Sequence, residues 1–454
     1  MEQIHKEKIP LFEELKIFVI IALPLAATYM AEIGMVLTDN AIVGRLGSIE
    51  LAAVGLTGNV LWEMLFIGTS IVSIVGVLVA QAFGANDHDS IGHHVRQGFW
   101  VAIAISIPGT IFCFYGAHIL ALTDQDPRVL ELGDQYLRTA SWSFLPGMLF
   151  VVLRSYTSSL MRVKAVMVIT FGAVGINAIL TYGMVNGELG MPKLGIPGAG
   201  WSTTIVSWGM FFALVFYTAV SEKLKRYRIY QNLIDLDLTE CWEIIRLGLP
   251  IGGIALMEGG LFMAVAVLMG VISADALAAN QVVINTIAIT FMISLAVGEA
   301  AGIRVAHGVG AKNRTEARQS GILGLSIGVC VGSVAAIAFI FGSHLLAGIF
   351  LDIDNPENAE VIALCSTLFV IAAAFQLFDG LQAIATRALR GMKDVVVPMW
   401  IAGISYWGFG IGGGYVLGFV LGYGAEGLWW GLAAGLMLAA VLLSARYLKL
   451  SKTF

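Results

Sequence analysis

Residues 23–44 read LPLAATYMAEIGMVLTDNAIVG, and residues 249–270 read LPIGGIALMEGGLFMAVAVLMG. Each run is apolar and long enough to cross a hydrocarbon core of roughly 30 Å as a helix. Each nevertheless carries acid: Glu32 and Asp39 in the first, Glu258 in the second. A carboxylate at that depth is costly unless it faces protein or water, so these acids are functional candidates. Pro24 and Pro250, Glu32 and Glu258, and Gly44 and Gly270 all stand 226 positions apart.

The repeat extends outward from this stretch. Leu51-Ala52-Ala53 returns as Leu277-Ala278-Ala279, and Val79-Ala80 with Gly84-Ala85 returns as Val305-Ala306 with Gly310-Ala311, again 226 positions on. Later the offset drifts to 229, where Lys164 pairs with Lys393, Gly198 with Gly427 and Trp201 with Trp430. Apolar runs predict about twelve spans, near 16–43, 53–83, 96–122, 136–160, 165–186, 197–221, 242–270, 277–308, 318–350, 360–388, 395–420 and 425–447. The fold class is therefore an all-α integral membrane protein of two pseudo-symmetric six-helix bundles. The expected division is an amino-terminal bundle over 1–221, a linker over 222–246 and a carboxy-terminal bundle over 247–454. An even number of spans per half implies repeats related by an axis along the membrane normal.

Composition agrees. Of 454 residues, 58% are hydrophobic and 13% charged, with mean hydropathy +0.85; soluble domains carry about 25% charged residues. A net charge of −5 gives no basic footprint for nucleic acid. Cys113, Cys241, Cys330 and Cys365 form no CxxC pair, so neither a disulfide framework nor a zinc site is expected. The start MEQIHKEKIP leads into a full-length span and not into the short apolar core of a cleaved signal. Basic residues, among them Lys6, Lys8, Arg96, Lys312, Arg314 and Arg390, cluster on one side of the span pattern, while Asp124, Asp126, Asp352 and Asp354 lie on the other. The basic side is the cytoplasmic one, which places both termini inside the cell.

Asp379 adds a fourth intramembrane acid, in the tenth span; at the offset of 229 its mate is Phe150. Neither Glu258 nor Asp379 has a basic residue within a turn of its own span, so a proton, a metal cation or a cationic substrate is the expected partner. Asp39 lies nearer a helix end, and Glu32 is the repeat mate of Glu258. Asn177, Thr181, Thr203, Gln281 and Asn285 are polar residues inside apolar spans that could complete a site or bond helix to helix. Glu63 and Glu299 are further intramembrane acids without an evident role. The loop NDHDSIGHH at 86–94 has metal-like composition without a ligand spacing. With 24 Phe, 10 Trp and 17 Met, a cavity for flat cations could be lined by aromatic and thioether groups. No GxxxxGK[ST] or HExxH occurs, which argues against ATP-driven and zinc-hydrolase readings.

Taken together, Asp39-Asn40-Ala41-Ile42-Val43-Gly44-Arg45, Pro250 with Glu258, Ala279-Asn280-Gln281, the 298–310 segment with Ile303-Arg304-Val305, and Asp379 followed by Leu389-Arg390-Gly391-Met392-Lys393-Asp394 resemble the MATE (multidrug and toxic compound extrusion) family, in particular its NorM branch. The resemblance covers essentially the whole chain. It implies a transporter and not an enzyme: efflux of cationic amphiphilic molecules from the cell (inner) membrane in exchange for Na⁺ or H⁺, by a monomer that needs no cofactor beyond the coupling ion and touches only substrate and membrane lipids. Asp39, Glu258 and Asp379 match the family's functional acids; from the residues themselves, Glu258 and Asp379 with Gln281 or Asn285 and backbone carbonyls could supply the several oxygens that Na⁺ needs. Asn177 matches the family's amino-lobe site, and Thr203 is a further candidate there. Thr181 and Phe375 depart from the pattern, which in some relatives has an acid and an aromatic hydroxyl at these places. Glu32 is an addition. The competing reading is a lipid or lipid-linked oligosaccharide flippase, which should line its groove with arginine; a membrane-embedded enzyme lacks a metal motif.

Overall fold

A computed structural model describes residues 10–121, 125–353 and 355–453. Lys6, Lys8, Asp124 and Asp354, which entered the charge-bias reading, lie outside the described residues. Eleven helices are long and apolar enough to cross a membrane: α1 (Leu11–Val43), α2 (Ser48–Gly84), α3 (His88–Phe114), α4 (Pro127–Ser159), α5 (Val163–Asn186), α6 (Ile196–Val220), α7 (Leu238–Ile272), α8 (Ala274–Gly310), α9 (Arg314–Gly348), α10 (Ala359–Gly391) and, last in the chain, α12 (Gly424–Leu450). Between the last two runs α11, residues 396–420, a helix whose segments Ile404–Gly412 and Val416–Val420 are π-helical. The twelve expected spans are all present. No strand occurs among the described residues.

Most helices begin earlier than the apolar runs suggested, because polar caps extend them. Asp87, Asp126, Ser273 and Asn313 each accept a backbone N–H from the first turn of the helix that follows, satisfying donors that helix geometry leaves unpaired. Apolar side chains such as Met263, Val267 and Val271 on α7 stay more than half exposed. In a helix whose backbone bonds are internal, such a face suits lipid.

The internal repeat is visible bond by bond. In the α2–α3 hairpin Asn86 is left-handed, φ 59°, and the Asp87 N–H donates to the carbonyl of Ala82 at 2.9 Å; in the α8–α9 hairpin Lys312 has φ 53°, and the Asn313 N–H donates to Gly308 at 2.8 Å. Every pair is 226 apart. The α4–α5 and α10–α11 hairpins match in the same way, but 232 apart: Met161 with Lys393 (φ 59° and 60°), and Arg162→Thr157 with Asp394→Leu389. The pairing of Lys164 with Lys393 is thus three residues out of register, and Asp379 corresponds to Gly147 instead of Phe150. The offset of 229 holds at the start of α6 and α12, where Gly195 and Gly424 take positive φ.

The described chain forms two compact units, Ala27–Gly252 and Gly253–Phe454, with the first helix through Ala26 belonging to the second. That assignment has a chemical cause: buried Glu14 accepts hydrogen bonds from Arg304 and Ser320, and Phe18 packs beside Gly324. Both helices that pass from one unit to the other, α1 and α7, contain a proline, Pro24 and Pro250, just before the change. The second unit has an aromatic core of Trp429, Tyr406, Phe375, Phe369 and Phe339. Within it α10 packs against α8, α9 and α12.

Candidate functional site

In the first unit the acid of α1 meets the polar residues of α5 and α6. Thr181 donates its hydroxyl to Asp39 Oδ1 at 2.7 Å, and Ser202 Oγ lies 2.8 Å from Thr181 Oγ1. Asn177 and Thr203 also hydrogen-bond the Asp39 carboxylate, and Thr203 contacts the buried Tyr136 hydroxyl. The spacing explains the convergence: Asn177 and Thr181 are four apart on one helix face. Asn177, Thr181 and Ser202 are buried, and Asn177 Oδ1 has no protein partner. Beside them an open groove of about 470 Å³ is lined by Leu37, Thr38, Arg45, Ala178 and Tyr182, among others. Asp39, Asn177 and Thr203 therefore form one cluster, completed by Ser202 and Tyr136, which the sequence did not single out.

Glu32 stands differently. Arg154 of α4 donates to its Oε1 at 2.8 Å and places its guanidinium 5.4 Å from the centre of the Tyr29 ring. This intramembrane acid thus has a cation of its own, supplied 122 residues further along the chain.

In the second unit Asp379 is buried on α10, 2% exposed, and Glu258 of α7 is close enough to act on it electrostatically. The Gln382 amide donates to Asp379 Oδ1 at 3.3 Å, and the Tyr406 hydroxyl of α11 donates to Gln382 Oε1 at 2.7 Å. Gln376, one turn before Asp379, is wholly buried with neither amide atom bonded. Ser294 Oγ is a second buried, unbonded polar atom, and a Cβ on Gly380 would stand 2.9 Å from it. Two carboxyls are gathered here with neutral oxygen-bearing groups, the donor set that a small hard cation or a proton prefers; Arg387, eight residues on from Asp379 along α10, also acts on it electrostatically.

Gln281 and Asn285 are both exposed. Their neighbour Asn280 is the buried one, and its Oδ1 accepts from Trp429 Nε1 at 3.2 Å. Phe375 is enclosed between Phe262 and Trp429. Glu299 pairs with Arg390 at 2.5 Å and Arg387 at 3.3 Å, which gives it a structural role. Glu63 is half-buried, with one oxygen unbonded. Residues 88–94, expected as a loop, are the first turns of α3, and two of their three histidines meet carboxylates: His94 Nδ1 is 2.6 Å from Glu240 at the start of α7, and His93 Nε2 is 3.4 Å from Asp237 of the linker. Among the described residues no three His, Cys, Asp or Glu side chains converge in a metal-binding group.

Comparison with known proteins agrees with this reading of the fold. The MatE family matches residues 24–183 and 250–416. The chain is 36% identical over 439 residues to a probable multidrug resistance protein NorM of Mesorhizobium japonicum, covering 96% of this chain and 94% of that one. It is 34% identical to the multidrug resistance protein NorM of Burkholderia vietnamiensis, covering 94% and 92%. The fold superposes on the crystal structure of a eukaryotic MATE transporter, AtDTX14, with a TM-score of 0.86 at 21% identity, over 97% of this chain and 98% of that one. A Vibrio cholerae MATE transporter, VcmN, gives 0.86 at 17% identity, over 98% of each chain. With its twelve helices, its two repeated halves and a family match over most of its length, the chain belongs to the MATE family of multi-pass membrane transporters, among relatives of the NorM type.

Proposed function

We propose that this protein is a secondary active multidrug efflux antiporter. It exports cationic amphiphilic molecules by alternating access in exchange for Na⁺, with H⁺ as the alternative coupling ion. The observation that carries the reading is the pair Glu258 and Asp379: two acids at interacting range inside one helical unit, with amide and hydroxyl groups around them. Like charges held together in a medium of low polarity are stabilised by a bound cation, whether a proton or a metal ion. On this reading Glu258 and Asp379 hold the coupling ion and Asp39 serves the amino-terminal cluster with Asn177 and Thr203. Because ion and substrate bias one conformational equilibrium, each must alter the affinity for the other reciprocally. The protein acts as a monomer in the cell (inner) membrane, with both termini on the cytoplasmic side.

The test is efflux of a fluorescent organic cation from proteoliposomes, with either a sodium gradient at fixed pH or a proton gradient without sodium. Acceleration by sodium alone supports the Na⁺ assignment. Response to the pH gradient alone would reassign the coupling ion. Indifference to both would overturn the antiporter reading.

A further inference from the structure

The polar chain that ends at Asp379 begins on a different helix. Tyr406 is 1% exposed, and Gln382 and Asp379 are 2% exposed each. The tyrosine hydroxyl donates to the amide oxygen of Gln382, and the amide nitrogen donates to the carboxylate. A side-chain amide has one acceptor end and one donor end. The carboxylate can only accept and so takes the nitrogen end, while Tyr406 holds the oxygen end; without Tyr406 the amide keeps its preference for Asp379 but loses its second anchor.

The mounting of Tyr406 is unusual. It lies in the nine-residue π-helical segment Ile404–Gly412. Such turns are rare and are found disproportionately at functional sites. The segment is clamped to α12 by glycines. A Cβ on Gly431 would fall 2.2 Å from the Gly414 backbone, and one on Gly435 would fall 2.6 Å from the Ser405 carbonyl and 2.8 Å from Gly410. The backbones at either side of Tyr406 therefore touch those of α12 and leave little room for the ring to shift. Glu258 and Arg387 also act electrostatically on the Tyr406 hydroxyl.

We infer that Tyr406 is a positioning residue for ion coupling: through Gln382 it anchors one oxygen of Asp379, so that the carboxylate is presented to the coupling cation in a fixed orientation. This inference rests on the antiporter reading above and deepens it. It assigns to α11, a helix without a charged side chain, control over ion affinity.

The experiment measures dye efflux from proteoliposomes as a function of external sodium at fixed pH, and of external pH without sodium, for the wild type, Tyr406→Phe, Gln382→Met and the double variant. Tyr406→Phe keeps the buried ring and removes only the hydroxyl. The cation concentration for half-maximal efflux should rise about tenfold in either single variant, with the maximal rate changed by less than about twofold. The double variant should shift no further than the singles, since both act through one chain of bonds. Half-saturation that stays at the wild-type value, or shifts that add in the double variant, would overturn the relay. So would a fall in maximal rate and thermal stability without a change in half-saturation, which is the signature of a merely structural tyrosine. A wild type that responds to neither cation would instead defeat the antiporter reading itself.

Discussion

Arg304, near the end of α8, holds Glu14, near the start of α1, through two hydrogen bonds of 2.9 Å and 2.6 Å, and both residues are almost wholly buried. The same guanidinium reaches Glu316 at 2.9 Å, and Ser320 donates to Glu14 at 2.6 Å. Removing one member of a buried ion pair costs about 3–5 kcal/mol, because the remaining charge is left without compensation. Arg304→Met strands two carboxylates, whereas Glu14→Gln strands none and leaves Arg304 with Glu316. Thermal unfolding in detergent should therefore rank wild type, Glu14→Gln and Arg304→Met in falling order. Equal stability of the two variants would show that the network does not fasten α1 to this unit.

Thr181 donates to Asp39 Oδ1 at 2.7 Å. Thr181→Val keeps the shape and leaves Asp39 with Asn177 and Thr203, a loss of about 1.5–3 kcal/mol for a bond to a charged group. Efflux driven by the coupling ion should fall about tenfold or more while expression stays normal. Glu32→Gln, which disrupts an ion pair in place of a cation site, should mainly lower stability. If Thr181→Val transports normally and Glu32→Gln abolishes coupling, the roles of the two acids are reversed.

The linker offers a pH test. The backbone N–H of Glu240 beside Asp237 is the main reason its carboxyl lies below the usual range, with Thr239 N–H and His93 adding to it. A carboxyl lowered in the folded state contributes stability above its unfolded value, about 4, and loses that contribution as pH falls through the lower folded value. Docking of residues 233–240 on α3, where Gln97 and Trp100 bind the carbonyls of Asp235 and Leu233, should therefore resist Asp237 titration down to about pH 4. Asp237→Asn should expose the linker to proteolysis at neutral pH. Equal cleavage of variant and wild type would remove Asp237 from this role.

What the sequence disclosed follows from its physics. Carboxylates are conspicuous in apolar runs, so Glu258, Asp379 and Asp39 stood out without a structure. The 226-residue repeat was legible as well; the helix starts were not, because polar caps carry the helices beyond the ends of the apolar runs. Arg154 was not tied to Glu32, because a contact between residues 122 apart leaves no local trace. Asn280, and not Gln281, points inward: neighbouring positions on a helix differ by about 100°, so a small error in phase exchanges a buried side chain for an exposed one. Tyr406 was hidden for a related reason, since a π-helical stretch breaks the 3.6-residue period on which face assignment depends.

The central claim is that Glu258 and Asp379 carry the coupling ion. The most direct measurement is cation-driven efflux from proteoliposomes containing wild type, Glu258→Gln or Asp379→Asn, each confirmed to be folded by its thermal transition. Both substitutions keep the size of the side chain and remove only the charge. The account expects each variant to lose cation-driven efflux, by about a hundredfold or more, at unchanged protein yield. Efflux at the wild-type rate in both variants, with the wild-type dependence on cation, would contradict it.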